Sequence, residues 1–594
     1  MRRFGWLLAV GVFLVAVAPF LRAWDYGLIN LDDYQYLYKY AEIHTWMGWT
    51  SVRHCLTAVG DSIWMPLTWL SYCVDWLLFG DWMGGAHLHS IAVHGVNAVL
   101  VWCFLRLLFP RRAWLCLVAA LFWAIHPLRC ESVVFVASRK DVLSFFWEIL
   151  ALICWVRGGT RNTVLATVFF VVGSLCKPSV MTFPVLCGIV DLFVLREVRL
   201  RRYVVPVAYM LFLGAFAHWQ QAAGGATVDL MGTPLWGRLL NASAAFGIYV
   251  RNTVWPQWLA LQCVRVWPEM PRFLVPGLAI TLCWGGWLAC RLLSCWDERN
   301  RFFALAKDRW NLPCVLTNRT PATPVFAGAL WFAVAVFPML GIASFGYHAF
   351  ADRFTYIPSV GLAVLLVAMM ERWRILRWAM PAAVSALGLC TWRQTGFWKD
   401  DRTAFSHTLE VDGNRNAFAH NALASWYYEF PHDVRRTIDE YEAALEANAM
   451  LAIQDLDVYI LALGEAGELE KIAPAFRRLS DLGLKSLGED RYRRAVTQAD
   501  GLSAKEAEFR HLYLSCRIAW LMADGEGAKQ AGELLSSVSQ TLIDENAIWL
   551  YHAWRIHSAK GDAETAARYL ELLRRASPRT GYFRFRHVTG TEAR

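Results

Sequence analysis

Charge is scarce in this sequence. Only 18% of its 594 residues are charged, whereas 57% are hydrophobic. Ordinary soluble domains carry about 25% charged and roughly 45–50% apolar residues, so one large soluble domain is excluded. The net charge of +9 arises from Lys and Arg that lie mainly in short loops between apolar runs. That distribution argues against a basic nucleic-acid-binding face.

Closely spaced metal ligands are also lacking. The 15 Cys are scattered, and none forms the C-x-x-C pattern that is typical of zinc and redox sites. Several lie within apolar runs, namely Cys73, Cys103, Cys116, Cys154 and Cys187. They are interpreted as small buried hydrophobic residues rather than as a disulfide framework, and no metal or other cofactor is expected.

Long apolar runs are what the sequence does contain. Runs such as FGWLLAVGVFLVAVAPFL, VLATVFFVVGSL and VPVAYMLFLGAFA recur up to about residue 392. Inside a hydrocarbon layer of about 30 Å, backbone polar groups can be satisfied only within a helix or closed barrel, so such runs predict membrane helices. The first run follows a basic start but lacks a clean cleavage site, which favours a membrane helix over a signal peptide.

Residues 1–392 are therefore predicted to form a polytopic bundle of about eleven membrane-spanning helices. The predicted spans are 4–21, 88–108, 113–127, 141–156, 162–176, 179–195, 203–219, 272–290, 323–342, 354–370 and 376–392. Placing the basic loops in the cytoplasm puts the first long loop, 22–86, outside. An odd number of spans also places the rest of the chain outside.

A polar, Ala-rich, helical region follows the predicted linker 393–415 and occupies residues 416–594. Within it, AIWLYHAWRIHSAKGDAETAARYLELLRRASP has the small residues, the Gly561-Asp562 turn and the closing Pro578 of a tetratricopeptide helix pair. AHNALASWYYEFPHDVRRTIDEYEAALEANA is a similar unit, and the stretch between them is degenerate. The whole chain is thus predicted to be all-α, with a non-cytoplasmic, tetratricopeptide-like α-solenoid after the membrane bundle.

Two acidic residues follow the first predicted span. The segment INLDDYQYLY places Asp32 and Asp33 near the outer bilayer surface. A carboxylate in that position can act as general base on an acceptor hydroxyl. Alternatively, one of the two caps a short juxtamembrane helix. The sequence leaves both interpretations open.

Further charged residues lie between spans, in IHPLRCESVVFVASRKDVLSFFW, SLCKPSVMTFPVL and FGYHAFADRFTYIPSVG. The candidate site residues among them are His126, Glu131, Arg139, Lys140, Lys177, Asp352 and Arg353. Snorkelling or capping would explain any single one. Several cations on the predicted outer side, however, oppose the usual charge bias and indicate an anionic ligand. Fixed cations suit a phosphate leaving group, and they equally suit a transported anion.

Several blocks, in order along the chain, resemble the bacterial relatives of the transmembrane and tetratricopeptide-repeat protein O-mannosyltransferases, in the GT-C superfamily of membrane glycosyltransferases. The blocks are INLDDYQYLY, MPLTWLSYCVDWLLFG, HLHSIAVHGVNAVL, HPLRCESVVFVASRKDVLS, SLCKPSVMTFPVLCGIVDL, FADRFTYIPSVG and QTGFWKDDRTAFSHTLE. Together they span residues 30 to about 425.

The resemblance implies a GT-C-like fold and an inverting transfer of a sugar, mannose or a similar hexose, from a polyprenyl-phosphate donor. The acceptor would be a Ser or Thr hydroxyl of a protein, gathered by the tetratricopeptide-like domain. The base would be Asp32 or Asp33, and the other candidate residues would surround the lipid phosphate and sugar. The family also implies a bacterial inner membrane, with the C-terminal domain in the periplasm.

Rival functions remain at this point. The same donor chemistry would serve transfer to a lipid or a glycan. A transporter of an anionic lipid would favour charged residues at mid-membrane, whereas those noted here cluster at helix ends. An inactive scaffold would use only the repeat domain, and its few, degenerate repeats leave acceptor recognition open.

Overall fold

The computed structural model describes most of the chain. The described residues are 5–38, 40–58, 64–195, 197–223, 234–261, 271–294, 311–313, 322–342, 350–452, 456–498, 500–502, 504–523, 527–540, 543 and 547–576. They form two compact units, residues 1–28 with 41–400, and residues 29–40 with 401–594. The division at residue 400 falls inside the predicted linker, much of which is helical.

The first unit is a helical bundle. Its α-helices are Gly5–Val17, Ala41–His44, Trp49–Thr57, Pro66–Phe79, Met83–Leu108, Ala113–Ala124, Cys130–Val134, Arg139–Arg157, Thr160–Ser174, Phe183–Ile189, Val204–Ala223, Leu235–Val254, Pro271–Ser294, Ala322–Val336, Ser359–Arg372 and Arg374–Thr395. Short 3₁₀ segments are Ala18–Asp25, Pro127–Arg129, Val136–Ser138, Pro178–Thr182, Leu200–Arg202, Phe337–Met339, Asp352–Thr355 and Gly396–Trp398, and Val190–Leu195 is π-helical. Glu197–Arg199 pairs antiparallel with Asn311–Pro313.

Six stretches of the described helices are long and apolar enough to cross a membrane. They are Gly5–Asp25, Met83–Leu108, Pro178–Leu195, Leu200–Gln220, Leu274–Arg291 and Arg374–Trp398, and a pair bent by 55°, Ala113–Ala124 with Pro127–Val134, would make a seventh. Large apolar side chains on these stretches, such as Leu282 and Leu389, are each 74% exposed. Lipid accommodates such a surface and water does not, so this is a membrane protein.

Each predicted span corresponds to a described helix. Several of these helices, however, are too short or too charged to belong to the stretches that are long and apolar enough to cross a membrane. Thr160–Ser174 and Ala322–Val336 have 15 residues and Ser359–Arg372 has 14. At 1.5 Å per residue they extend only about 21–23 Å. Arg139–Arg157 is longer but carries five charged residues. Two of the predicted spans, 323–342 and 354–370, join a short helix to the turn beside it. The number of membrane crossings stays a prediction.

Glycine allows two helix pairs in the bundle to pack closely. A Cβ on Gly247 would collide with the backbone of Gly277, and one on Gly328 would collide with the backbone of Gly361. Close backbone approach through small residues is a common packing mode of membrane helices.

The second unit is also helical. Its helices are Asp33–Tyr38, Asp401–Asp412, Ala417–Glu429, Val434–Ala452, Leu456–Ala466, Ile472–Leu487, Glu489–Thr497, Ala504–Ala523, Ala528–Leu535, Ala547–Ala559 and Ala563–Ala576, with a 3₁₀ turn at Leu469–Lys471. The sequence predicts two helix pairs in this region, and both are present in the structure: Ala417–Glu429 packs on Val434–Ala452, and Ala547–Ala559 packs on Ala563–Ala576. Gly561 makes the turn between the last two with a φ of 75°, which favours glycine, whereas Pro578 lies outside the described residues.

Candidate functional site

A cleft in the first unit is lined by two positively charged side chains, Lys177 and Arg353. Its cavity volume is about 10 Å³, which is room for about one water molecule. Its lining residues are Asp141, Lys177, Ser179, Ala335, Met339, Arg353, Phe354, Ile357 and Pro358. The lining therefore combines both charge signs with an apolar wall, which is the composition expected for a ligand that has a charged and an apolar part.

Lys177 and Asp141 form a buried ion pair on one side of this cleft. Lys177 directly precedes the proline-initiated turn Pro178–Thr182, and Asp141 lies in the first turn of Arg139–Arg157. The Lys177 Nζ lies 2.5 Å from the Asp141 Oδ1. Both side chains are at most 10% exposed, so solvent screens the pair weakly. An ammonium has three N–H donors, and this contact uses one of them.

Arg353 and Glu131 form a second buried ion pair. One Glu131 carboxylate oxygen contacts the Arg353 guanidinium, and the other accepts a hydrogen bond from the Arg353 backbone N–H at 2.8 Å. The Phe354 ring links the two pairs, because its centroid lies 5.2 Å from the Arg353 Cζ and 5.6 Å from the Lys177 Nζ. Two cations thus approach one aromatic ring at the cleft.

Asp352 lies next to this second pair and is 6% exposed. Burial raises the pKa of Asp352 well above its ordinary value, and the negative charge of Glu131 raises it further, against the opposing effect of nearby arginines. The Asp352 carboxyl therefore holds its proton more tightly than an ordinary aspartic acid. It consequently adds less negative charge to the surroundings of Arg353.

Tyr356 fixes the short turn Asp352–Thr355 that carries Arg353. The Tyr356 hydroxyl lies 2.7 Å from the His94 Nδ1 and accepts a hydrogen bond from the Asn97 amide at 3.2 Å. The Trp123 indole donates to the Tyr356 carbonyl at 3.1 Å. All of these groups are buried, so the cation is held on a rigid support rather than on a loop free to move.

Five of the seven residues predicted for the donor site do not line the cleft. Glu131 and Asp352 lie beside Arg353, as described above, and the other three are held elsewhere. The Arg139 guanidinium is buried, contacts the Asp75 carboxylate and donates to the Ala86 carbonyl at 2.7 Å. His126 accepts from the Leu128 N–H through Nδ1, and its Nε2 lies 3.0 Å from the Thr253 carbonyl oxygen. Lys140 is buried beside Arg139. The described contacts of Arg139 and His126 are those of side chains that hold the fold around the cleft.

Two buried acidic residues, Asp75 and Glu148, were not among the site residues predicted from the sequence. Asp75 contacts Arg139 and lies 2.6 Å from the His89 Nδ1, but a lone Asp in the first outer loop gave no signal of this pairing. Glu148 lies in the middle of Arg139–Arg157 with no exposed surface, and neither carboxylate oxygen has a hydrogen-bond partner among the residues described. Glu148 could have been predicted from the sequence, because an ionisable residue in the middle of an apolar run is unusual and often functional.

Asp32 and Asp33 both belong to the second unit, where they differ in burial. Asp33 is 0% exposed, and its Oδ2 accepts the Ile29 N–H at 3.0 Å at the start of helix Asp33–Tyr38. The neighbouring Asn30 N–H donates to the Asp401 Oδ1 at 2.6 Å. Asp32 is only partly buried, in the turn that precedes the helix. The alternative role at a helix start therefore fits Asp33, and Asp32 is the more accessible carboxylate.

A serine, a histidine and an aspartate also meet in the core of the second unit. The Ser515 hydroxyl donates to the Asp457 Oδ2 at 3.0 Å and lies 2.9 Å from the His552 Nε2. A nucleophilic triad would place the carboxylate on the other ring nitrogen, and it would expose the serine. Here all three residues are buried, so they form a polar contact among three helices rather than a catalytic site.

Acid is expected to destabilise this contact. Burial lowers the pKa of His552 to about 3, below its ordinary value of about 6.5, so the unfolded chain binds the proton first and stability falls as pH drops below about 6.5. The loss reaches about 2 kcal/mol at pH 5. Thermal unfolding of the full chain in detergent, followed by circular dichroism at pH 7.5 and 5.0, measures it. His552→Gln, which keeps a donor but does not titrate, should show a smaller drop; equal drops in both proteins would contradict the assignment.

Comparisons with known proteins detect distant relatives. Parts of the chain are similar to protein O-mannosyl-transferase Tmtc1 of Drosophila melanogaster (31% identical over 132 residues, 22% of this chain and 15% of the relative) and to TMTC3 of Mus musculus (30% over 136 residues, 22% and 15%). TMTC2 of Homo sapiens is 25% identical over 183 residues, 28% of this chain and 22% of the relative.

The chain thus matches only 15% to 22% of the length of these relatives. No family model matches the chain. No solved structure matches it either. The similarity is distant and local, and it supports a relationship to the protein O-mannosyl-transferases that the sequence blocks resemble.

Proposed function

We propose that this protein is an inverting membrane glycosyltransferase that moves a hexose, mannose or a similar sugar, from a polyprenyl-phosphate donor to a Ser or Thr hydroxyl of a protein. The observation that carries the proposal is the cleft in which Lys177 and Arg353 approach the Phe354 ring. A phosphate linked to a sugar and to a prenyl chain offers one anionic group for the cations and an apolar part for the wall. The related proteins named as O-mannosyl-transferases support the same class of reaction.

In the proposed reaction, Asp32 removes the proton from the acceptor hydroxyl. The acceptor oxygen then attacks the anomeric carbon, and the bond from that carbon to the phosphate oxygen breaks. The departing lipid phosphate carries the negative charge that develops, and Lys177 and Arg353 stabilise it. A single displacement of this kind inverts the anomeric configuration. Protein cations supply the positive charge in this scheme.

The proposal also includes the number of membrane crossings and the side of the membrane on which the soluble parts lie. About eleven membrane crossings would place the loop 22–86 and the C-terminal unit on the outer face of a bacterial inner membrane, in the periplasm. The helix pairs of the C-terminal unit would then form a tetratricopeptide-like solenoid that gathers acceptor proteins.

Sugar transfer in membranes tests the proposal. Membranes that contain the full chain are supplied with polyprenyl-phosphate hexoses labelled in the sugar, and label is counted in the protein, lipid and glycan fractions. We expect label in Ser or Thr of protein, at least tenfold above membranes without the chain. Label confined to lipid or glycan would assign a different acceptor, and no label with any hexose donor would refute the transferase.

A transporter of an anionic lipid is the second candidate, and Glu148 favours it. An ionisable group buried in the middle of a predicted membrane span is typical of transport pathways. The two functions differ in their products, because a transporter moves the intact sugar phosphate across reconstituted vesicles without cleaving it. Movement that is lost in Glu148→Gln, without any sugar transfer, would favour the transporter.

A further inference from the structure

Two cysteines of the first predicted outer loop lie side by side. Cys55 belongs to helix Trp49–Thr57, and Cys73 belongs to helix Pro66–Phe79. Their Sγ atoms are 3.7 Å apart, and both side chains have no exposed surface. They are eighteen positions apart in the sequence, so no short spacing motif such as C-x-x-C indicates the pair.

We propose that Cys55 and Cys73 form a disulfide in the native protein. A disulfide has an S–S length of about 2.05 Å, so a change of side-chain rotamer that moves the sulfurs together by about 1.7 Å would close the bond. The proposal rests on the outer placement of the loop 22–86, because disulfides persist in the periplasm and other oxidising compartments and not in the cytosol.

The bond forms by thiol-disulfide exchange while the loop folds, before the two sulfurs are buried. The Cys73 thiolate attacks one sulfur of an oxidant disulfide, either of a protein or of glutathione, and releases the first thiol. The Cys55 sulfur then attacks Cys73 in the mixed disulfide, which releases the second thiol. The two cysteines lose two protons and two electrons, and the oxidant gains both. The order of the two cysteines can equally be reversed, because neither sulfur is buried when the bond forms.

The proposed disulfide would affect the candidate site through Asp75. That residue lies two positions after Cys73 in the same helix, and its carboxylate contacts the buried Arg139 guanidinium. Arg139 begins the helix that carries Asp141 into the cleft. A covalent link between Trp49–Thr57 and Pro66–Phe79 would therefore hold in place the helix that supports one wall of the donor site.

Differential alkylation tests the disulfide. Cells that express the full chain are treated with light N-ethylmaleimide under denaturing conditions, then the protein is reduced and labelled with heavy reagent. We expect heavy label at Cys55 and Cys73 in most copies, a peptide that links the two before reduction, and light label at the buried Cys116 and Cys187. In Cys73→Ser, Cys55 should change from heavy to light label.

Light label at both positions in the native chain would overturn the proposal. Oxidised glutathione present while the full chain is synthesised in a cell-free membrane system, before the two sulfurs are buried, then identifies the cause. If the linked peptide appears there, the loop faces a reducing compartment, and the proposed orientation fails with it. If it does not appear, the two sulfurs do not approach as inferred, and the transferase proposal is judged by its own assay.

Discussion

Asparagine in place of Asp32 is expected to lower sugar transfer by about 10²- to 10⁴-fold, the usual contribution of a general base. The carboxylate is partly exposed in the turn before helix Asp33–Tyr38. Asparagine has nearly the same shape, but its amide cannot accept the proton of the acceptor hydroxyl. The loss should therefore fall on kcat more than on the KM of the donor, and initial rates at several donor concentrations separate the two.

Asp33→Asn provides the matched control. The Asp33 carboxylate is buried and accepts the Ile29 N–H, a hydrogen bond that the asparagine carbonyl oxygen can also accept. We expect this variant to keep transfer within a few-fold of the native chain at equal expression. If Asp33→Asn loses transfer and Asp32→Asn keeps it, the base is Asp33. If the double variant keeps full transfer, neither residue is the base, and the transporter or scaffold functions gain support.

The helices of this protein were accessible from the sequence because they are local. Apolar runs and turn residues act over a few positions, so each predicted span corresponds to a helix, and Gly561 makes the predicted turn. Whether a run crosses the membrane depends on its length and on its charges together. Arg139–Arg157 shows this, since its five charged residues set it apart from the six long apolar stretches.

The pairing of charges was not accessible, because it depends on contacts between distant parts of the chain. Glu131 and Arg353 are 222 positions apart, and Lys177 and Asp141 are 36 apart. The sequence marked the cations as unusual on the predicted outer side but could not assign a carboxylate to each. The residues around Asp32 present the same difficulty, because the Asn30 N–H bonds to Asp401, which is 371 positions away.

The buried ion pair of Lys177 and Asp141 gives the second prediction of large effect. Lys177→Gln alone is expected to destabilise the chain by about 3–5 kcal/mol, because it leaves the Asp141 carboxylate buried without its cation. A loss of transfer in this single variant would therefore not distinguish a donor-binding lysine from a lysine that only neutralises Asp141.

The double variant Lys177→Gln with Asp141→Asn removes both charges while keeping both side chains close to their native size. Its thermal unfolding temperature in detergent should return close to that of the native chain, since no uncompensated charge remains. Transfer should nevertheless stay low, because the donor phosphate has lost a charge-assisted hydrogen bond worth about 1.5–3 kcal/mol. That corresponds to a loss of roughly 10- to 150-fold in kcat/KM.

The two variants together decide what Lys177 does. A lysine that binds the lipid phosphate is needed even when Asp141 is neutral, so stability recovers in the double variant and transfer does not. A lysine that serves only Asp141 becomes dispensable in the double variant, and transfer would recover together with stability. Because Arg353 approaches the same Phe354 ring, the remaining transfer should fall further when Arg353→Gln with Glu131→Gln is added. Full recovery of transfer in the first double variant would remove the cleft from the proposed donor site.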